Sequence, residues 1–208
     1  MRQMRVVDSI EHQIRQSEDG CLFFASDFAT SGNDVFISRL LSGFVEAGLI
    51  CRLAQGVYFK PVKTRFGVLY PEVSEIVKAI ARRDNAQILP TGETAQNLLG
   101  LSTQIPMNYV YLTSGSARKL TVGSKTIAFK RCVPKIFACK NELMAILIQA
   151  LKSIGQKRIT DEHKAIIRGL LKKHLPIESL DEDLRTAPVW VRKVISNSIK
   201  EIEDEKMD

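Results

Sequence analysis

Between Asn85 and Thr160 the sequence contains no aspartate, and its only acidic residues there are Glu93 and Glu142. Two-metal phosphoryl transfer needs paired carboxylates to hold its cations, so that stretch supplies no such centre. This holds even though Gly115-Ser116 matches the glycine-serine that opens nucleotidyltransferase sites. Histidine is scarce, and His12, His163 and His174 are widely separated. The four cysteines, Cys21, Cys51, Cys132 and Cys139, form no CxxC pair. Neither set has metal-site spacing, so no metal and no cofactor are expected, and the cysteines read as reduced, partly buried thiols. Also missing is an apolar run of about 20 residues; LMAILIQAL is far shorter, and no membrane span is expected. The opening MRQMRVVDSIEHQ mixes polar and apolar residues instead of forming a charged-then-apolar leader, which makes the cytoplasm the expected location.

Two other motifs fail as catalytic signals. Ser116-ARK reproduces the S-x-x-K spacing of serine acyl-enzymes, but it lies between β-like runs and does not open a helix in a large domain. The glycines of GETAQNLLG lack the GK[ST] ending of a phosphate loop. The chain reads as a binding protein and not an enzyme.

What is present is positive charge, unevenly placed. The 208 residues carry a net charge of +7. Residues 1–63 hold seven basic and seven acidic residues, and residues 141–208 hold twelve of each. Residues 64–140 hold eleven basic against four acidic, so the whole surplus sits in the middle third. An anionic partner is the first implication.

Periodicity organises the chain into three parts. Arg2 to Gln16 repeats apolar residues at three-to-four spacing through Val7, Ile10 and Ile14, an amphipathic helix. CLFFA is a short β-prone link, and Ser26 is placed to cap a brief helix over DFA. From Asp34, Ile37, Leu40, Leu41, Phe44 and Val45 fall on one face, with Asp34, Ser38, Arg39 and Ser42 opposite. Gly48 suits a left-handed helix stop, and LICRLA and GVYFKP then read as two strands joined through Gln55-Gly56. Helix, short helix, longer helix and hairpin spell a winged helix-turn-helix over residues 1–63.

In that geometry the third helix offers Asn33, Asp34, Ser38, Arg39 and Ser42 to the major groove. The hairpin carries Arg52, Gln55 and Lys60 towards the sugar-phosphate backbone. Arg39 is the expected base reader, because a guanidinium engages guanine bidentately.

Residues 64–140 read as a mixed α/β domain. Pro71 suits the first turn of a helix carrying Val73, Ile76, Val77 and Ile80, Ala86-QILP reads as a buried strand, and Thr91 is placed to cap a helix over ETAQNLLG. NYVYLTS, RKLTVG and KTIAFKR then follow as an expected antiparallel β-meander. Arg118, Lys119, Lys125, Lys130 and Arg131 lie in or beside it, and strand alternation suggests a shared basic functional surface. Residues 141–208 are a helical extension: an apolar helix from Asn141, a second capped by Thr160, a short polar one near Ser179, and a last one opening at Pro188. The overall class is therefore α+β.

Two segments carry a family resemblance. SRLLSGFVEAGLICRLAQGVYFKP resembles the winged-helix segment of AbiEi-type antitoxins, with its polar helix face, glycine, and wing ending in G-V-Y. ILPTGETAQNLLGLSTQIPMNYVYLTSGSARKLTVGSKTIAFKR is similar to their second domain, including P-x-G-x-T-A-x-N-x-L-G-L-S-T-Q-x-P and Y-L-T-x-G. The two resemblances together account for residues 1–140, and the match looks closest to a shorter branch of the family. The resemblance implies an autorepressor that binds inverted repeats in its own promoter as double-stranded DNA. It also implies the antitoxin of a bacterial type IV toxin–antitoxin or abortive-infection system, countering a nucleotidyltransferase-like toxin without requiring a stable complex. The alternative is a stand-alone winged-helix regulator or adaptor with no toxin partner.

Overall fold

The computed structural model describes residues 2–31 and 33–207. Its mixed α and β elements fall into two compact units, 1–83 with 120–124, and 84–119 with 125–208.

In the first unit, helix α1 (Arg2–Gln16) turns Ile10 and Ile14 inwards with almost no exposure. Strand β1 (Leu22–Phe24) follows, then a 3-10 turn over Ala25–Ser31. The start of that turn is held by the Asp27 carboxylate, which accepts the Phe24 N–H at 2.7 Å. Sequence reasoning assigned the capping role to Ser26; Asp27 has a charged acceptor, and the charge-assisted bond is the stronger one. Helix α2 (Asp34–Glu46) opens on Asn33, whose side chain accepts the Phe36 N–H at 2.8 Å. It closes at Gly48, whose φ of +69° lies in the left-handed region that a side chain disfavours.

Strands β2 (Cys51–Ala54) and β3 (Val57–Phe59) form the expected hairpin, with Gly56 at φ +71° in its turn. β3 is central: it pairs antiparallel with both β1 and β2, giving the order β1-β3-β2. One core joins α1, β1, α2 and this sheet through Ile10, Ile14, Phe23, Phe28, Ile37, Leu41, Phe44 and Tyr58. Each such side chain contributes about 1.5–3 kcal/mol by leaving water. A second antiparallel ribbon, β4 (Val62–Thr64) and β5 (Gly67–Leu69), precedes helix α3 (Val73–Asp84), which buries Val73, Ile76, Val77, Ala79 and Ile80.

Next along the chain come β6 (Ile88–Thr91), α4 (Glu93–Leu98), β7 (Asn108–Thr113), β8 (Arg118–Val122) and β9 (Lys125–Arg131); residues 120–124, which include most of β8, group with the first unit and the rest with the second. The sheet order is β6-β7-β9-β8, and β7 pairs parallel with β9, from Asn108↔Thr126 to Thr113↔Arg131. The expected antiparallel meander is thus corrected. A meander would seat β8 beside β7, but β8 alternates charged or polar with apolar residues and suits an edge. β9 takes the place beside β7, burying Ile127 and Phe129 and stacking the Phe129 ring 5.9 Å from Tyr111.

Helices α5 (Glu142–Ile154), α6 (Asp161–His174), α7 (Leu180–Arg185) and α8 (Val189–Met207) complete the unit. One core runs across position 140: Leu89, Ala95 and Leu99 cluster with Met144, Leu147 and Leu151 of α5, Ile167 of α6, and Val191 and Ile195 of α8. The helices from 141 onwards therefore pack as part of the second unit.

Asp183 is fully buried and binds the chain just ahead of α5. Its carboxylate accepts the Lys140 N–H at 2.7 Å, the Asn141 N–H at 3.1 Å and the Ser179 hydroxyl at 2.7 Å. Burial alone would raise its pKa, but these donors outweigh it and the net shift is downward. Thr160 caps α6 in a reciprocal box with His163, as its position suggested. Thr91 does not cap α4: it ends β6, and its hydroxyl donates to Gln149 at 3.4 Å, while Gly92 takes the N-cap position. Among the described residues no helix is long and apolar enough to cross a membrane.

Candidate nucleic-acid interface

The amphipathic pattern of α2 determines its outer face. Ile37, Leu41 and Phe44 are inserted in the core, which leaves Asp34, Ser38, Arg39 and Ser42 exposed on the other side. These four line one open groove of about 550 Å³, together with Val35, Gly43 and Glu46. The Ser42 hydroxyl donates to the Ser38 carbonyl at 2.9 Å, a bond a stronger acceptor or donor can displace. Asn33 stands at the N-terminal end, exposed but already engaged as the cap. Among the described residues Arg39 is the one cation lining the groove, whose lining also includes the acids Asp34 and Glu46. That arrangement favours a specific contact by Arg39 over general attraction to phosphate.

On the β2–β3 hairpin, Arg52 is exposed, and its Nε donates to the Ala54 carbonyl at 3.3 Å. Gln55 is exposed in the turn. Lys60 departs from the expected role. Its ammonium donates to the carbonyls of Arg15 (3.0 Å) and Ser17 (2.7 Å) and pairs with Asp19 at 3.2 Å. Those carbonyls are at the C-terminal end of α1, where the helix dipole and unsatisfied oxygens attract a cation. Lys60 therefore closes a helix instead of presenting itself to a backbone phosphate. Sequence periodicity had no means of showing that the end of β3 passes α1.

The five basic residues of the second unit do not form one face. The Arg118 guanidinium is ion-paired with the Asp84 carboxylate, both mostly buried. Lys125 sits 5.9 Å from the Tyr109 ring centroid, at the outer limit of a cation–π contact. Lys119 and Lys130 are exposed, each on the side of its strand opposite the buried Leu120 and Val122, or Ile127 and Phe129. Arg131 is exposed at the end of β9. Of the five, Lys119, Lys130 and Arg131 are exposed, and alternation separates Arg131 from Lys130.

The long motif of the middle section has a structural explanation. The Thr94 hydroxyl accepts the Val110 N–H at 2.8 Å, tying α4 to β7. The Asn97 side chain donates to the carbonyls of Ser102 (3.4 Å) and Gln104 (3.0 Å), shaping the following loop. At Gly115 an added Cβ would meet the Ala86 Cβ at 3.0 Å, tighter than nine in ten real contacts. Gly115 is thus held glycine by packing, while Ser116 is exposed beside it. What sequence reasoning missed are the exposed apolar groups: Phe66, Val68 and Leu69 on the β4–β5 ribbon, and Leu98, Ile105 and Met107 around the Asn97-shaped loop. Ribbon alternation in VKTRFGVL was the available signal for the first. Among the described residues, no three or more His, Cys, Asp or Glu side chains gather into a metal-holding group. The four cysteines are free thiols of intermediate burial.

These features define an α+β protein whose first unit presents a polar helix face beside a short antiparallel hairpin. The chain belongs to a family of unknown function, DUF6088, whose model matches residues 9–179. No curated protein matches it.

Proposed function

We propose that the chain is a DNA-binding transcriptional autorepressor, and the antitoxin of a toxin–antitoxin or abortive-infection pair, with its first unit acting as a winged helix-turn-helix. The observation that carries the reading is the exposed α2 face, where Ser38, Arg39 and Ser42 line one groove while the opposite face is locked in the core. A helix held from behind, with an arginine facing outwards, suits the major groove. The antiparallel β2–β3 hairpin supplies the wing, with Arg52 and Gln55 near the sugar-phosphate backbone. The unit's charge is compatible: with 64–83 and 120–124 included, it holds eleven basic against nine acidic residues. Lys60 is not part of this interface.

Anisotropy titration with duplex DNA from immediately upstream of the chain's own reading frame tests the repressor reading. Arg39→Ala is expected to weaken binding by about 5- to 150-fold, the loss of one bidentate guanine contact. Unchanged affinity and unchanged sequence preference would refute the docking of α2. The antitoxin reading is tested by co-expression with the neighbouring reading frame, if that frame is nucleotidyltransferase-like: growth should be rescued by the full chain. The exposed Leu98, Ile105 and Met107 favour a second reading, a regulator or adaptor whose second unit contacts another protein. Failure of rescue with intact promoter binding would select it.

A further inference from the structure

The β4–β5 ribbon is unlike the rest of the first unit. Every residue from Lys63 to Tyr70 is exposed, and both faces of β5 are open. Two-stranded ribbons are marginal in water by themselves, yet this one has a locked turn. The Thr64 hydroxyl donates to the Gly67 carbonyl at 2.9 Å and accepts the Phe66 N–H at 3.2 Å. Gly67 has φ +115°, a conformation that a side chain would strain. Below the turn, Tyr70 anchors the ribbon by packing its ring 5.5 Å from that of Phe59. At the tip stands Phe66, 85% exposed, with the Arg65 guanidinium 4.6 Å above its ring. No acidic residue occurs between Pro61 and Tyr70, while Lys63 and Arg65 supply two cations.

A stiffened two-stranded ribbon has the cross-section of a DNA groove. Its cations match phosphate, and the exposed aromatic beside Arg65 matches the apolar wedges that architectural proteins insert between base steps. The exposed Val68 and Leu69 add apolar surface that a protein could also meet, but the two cations and the absence of any acid from Pro61 to Tyr70 favour an anionic partner. We propose that the β4–β5 ribbon is a second DNA-contacting arm, in which Lys63 and Arg65 engage backbone phosphates and Phe66 wedges into a base step and bends the duplex. The inference rests on the DNA reading of α2 and adds to it a bend that α2 alone does not produce.

The test uses the full chain and duplex DNA from upstream of its reading frame, with Arg39→Ala as the reference variant. Affinity is followed from about 50 to 200 mM salt, and bending by energy transfer between dyes at the duplex ends. Lys63→Ala and Arg65→Ala should each lower the log–log salt slope by about 0.9. Phe66→Ala should leave the slope unchanged and remove a bend in the range of about 20–90°. All three positions are exposed, so circular dichroism and melting should match the wild type. If wild-type DNA binding is weakened by Arg39→Ala but slope and bend ignore the ribbon variants, the arm is refuted and the α2 reading stands. If the ribbon variants change sedimentation of the free protein while slope and bend stay constant, the ribbon is a protein interface and the proposal is overturned. If the wild type fails to bind the duplex at all, the DNA reading itself falls, and this inference with it.

Discussion

Lys60→Met separates the two roles available to this lysine. Methionine keeps the aliphatic stem and removes the ammonium, so packing along the stem is preserved. Lost with it are two charge-assisted bonds to the Arg15 and Ser17 carbonyls and the ion pair with Asp19. Hydrogen bonds to charged groups are worth about 1.5–3 kcal/mol each at best, and a cation at a helix end adds about 0.3–1. Ordering a lysine side chain costs about 1.5–2 kcal/mol, and a methionine held along the same stem costs a similar amount, so this contribution largely cancels. The Asp19 partner is 59% exposed, so its pair contributes about 1 kcal/mol at most. Water re-solvates the two carbonyls once the ammonium is gone, which leaves each bond a net worth of about 0.5–1.5 kcal/mol, so the balance is a loss of about 1–3 kcal/mol. In a unit of this size each kcal/mol moves the midpoint by about 4–8 °C, so the expected fall is at least about 4 °C. DNA affinity measured below the transition, and its salt slope, should be unchanged. An unaltered melting midpoint with a slope reduced by about 0.9 would show that Lys60 contacts phosphate and that the helix-closing role is wrong.

Three further outcomes are expected. Asp183→Asn keeps the shape but places an amide where the carboxylate accepts from Lys140, Asn141 and Ser179, and should cost about 2–4 kcal/mol by urea denaturation. Because the folded-state pKa of Asp183 is lowered, its stabilisation is complete above the unfolded value near 3.9 and is lost as pH falls towards the folded one. The gap between wild type and Asp183→Asn should therefore narrow below about pH 4, and a gap that widens there contradicts the assignment. Burial, followed by the Asp183 charge, pushes the Cys139 thiol up to about 12. At pH 8 only about one in ten thousand Cys139 side chains is a thiolate, so mass spectrometry should find it unalkylated by iodoacetamide until the unit is unfolded. Asn33→Ala should lower stability by about 1 kcal/mol through loss of the α2 cap; a neutral effect on thermal melting would show that the cap bond contributes nothing.

Local chemistry carried most of the element boundaries. The apolar spacing in α1 and α2, the glycine stop at Gly48, and the caps at Asn141 and Thr160 are all written within a few residues, because helices are decided by neighbours three and four apart. The exposure of Ser38, Arg39 and Ser42 was equally legible: one helix face cannot be buried without turning the other outwards. Long-range chemistry was not. Whether β8 or β9 lies beside β7 depends on which strand the sheet's interior accepts, and the alternation that suits β8 to an edge does not by itself say which strand fills the place beside β7. The role of Lys60 depends on a helix end more than forty residues earlier in the chain. Arg118 was read as free surface because its partner Asp84 is thirty-four residues away. Asp183 looked like one acid in a polar run, and only folding brought the N–H groups of Lys140 and Asn141 to it. Periodicity therefore determined which faces of the helices meet water, while the choice of partner for each charge belonged to the tertiary structure. Electrostatic pairing acts through space, and sequence separation says nothing of the distance it must cross.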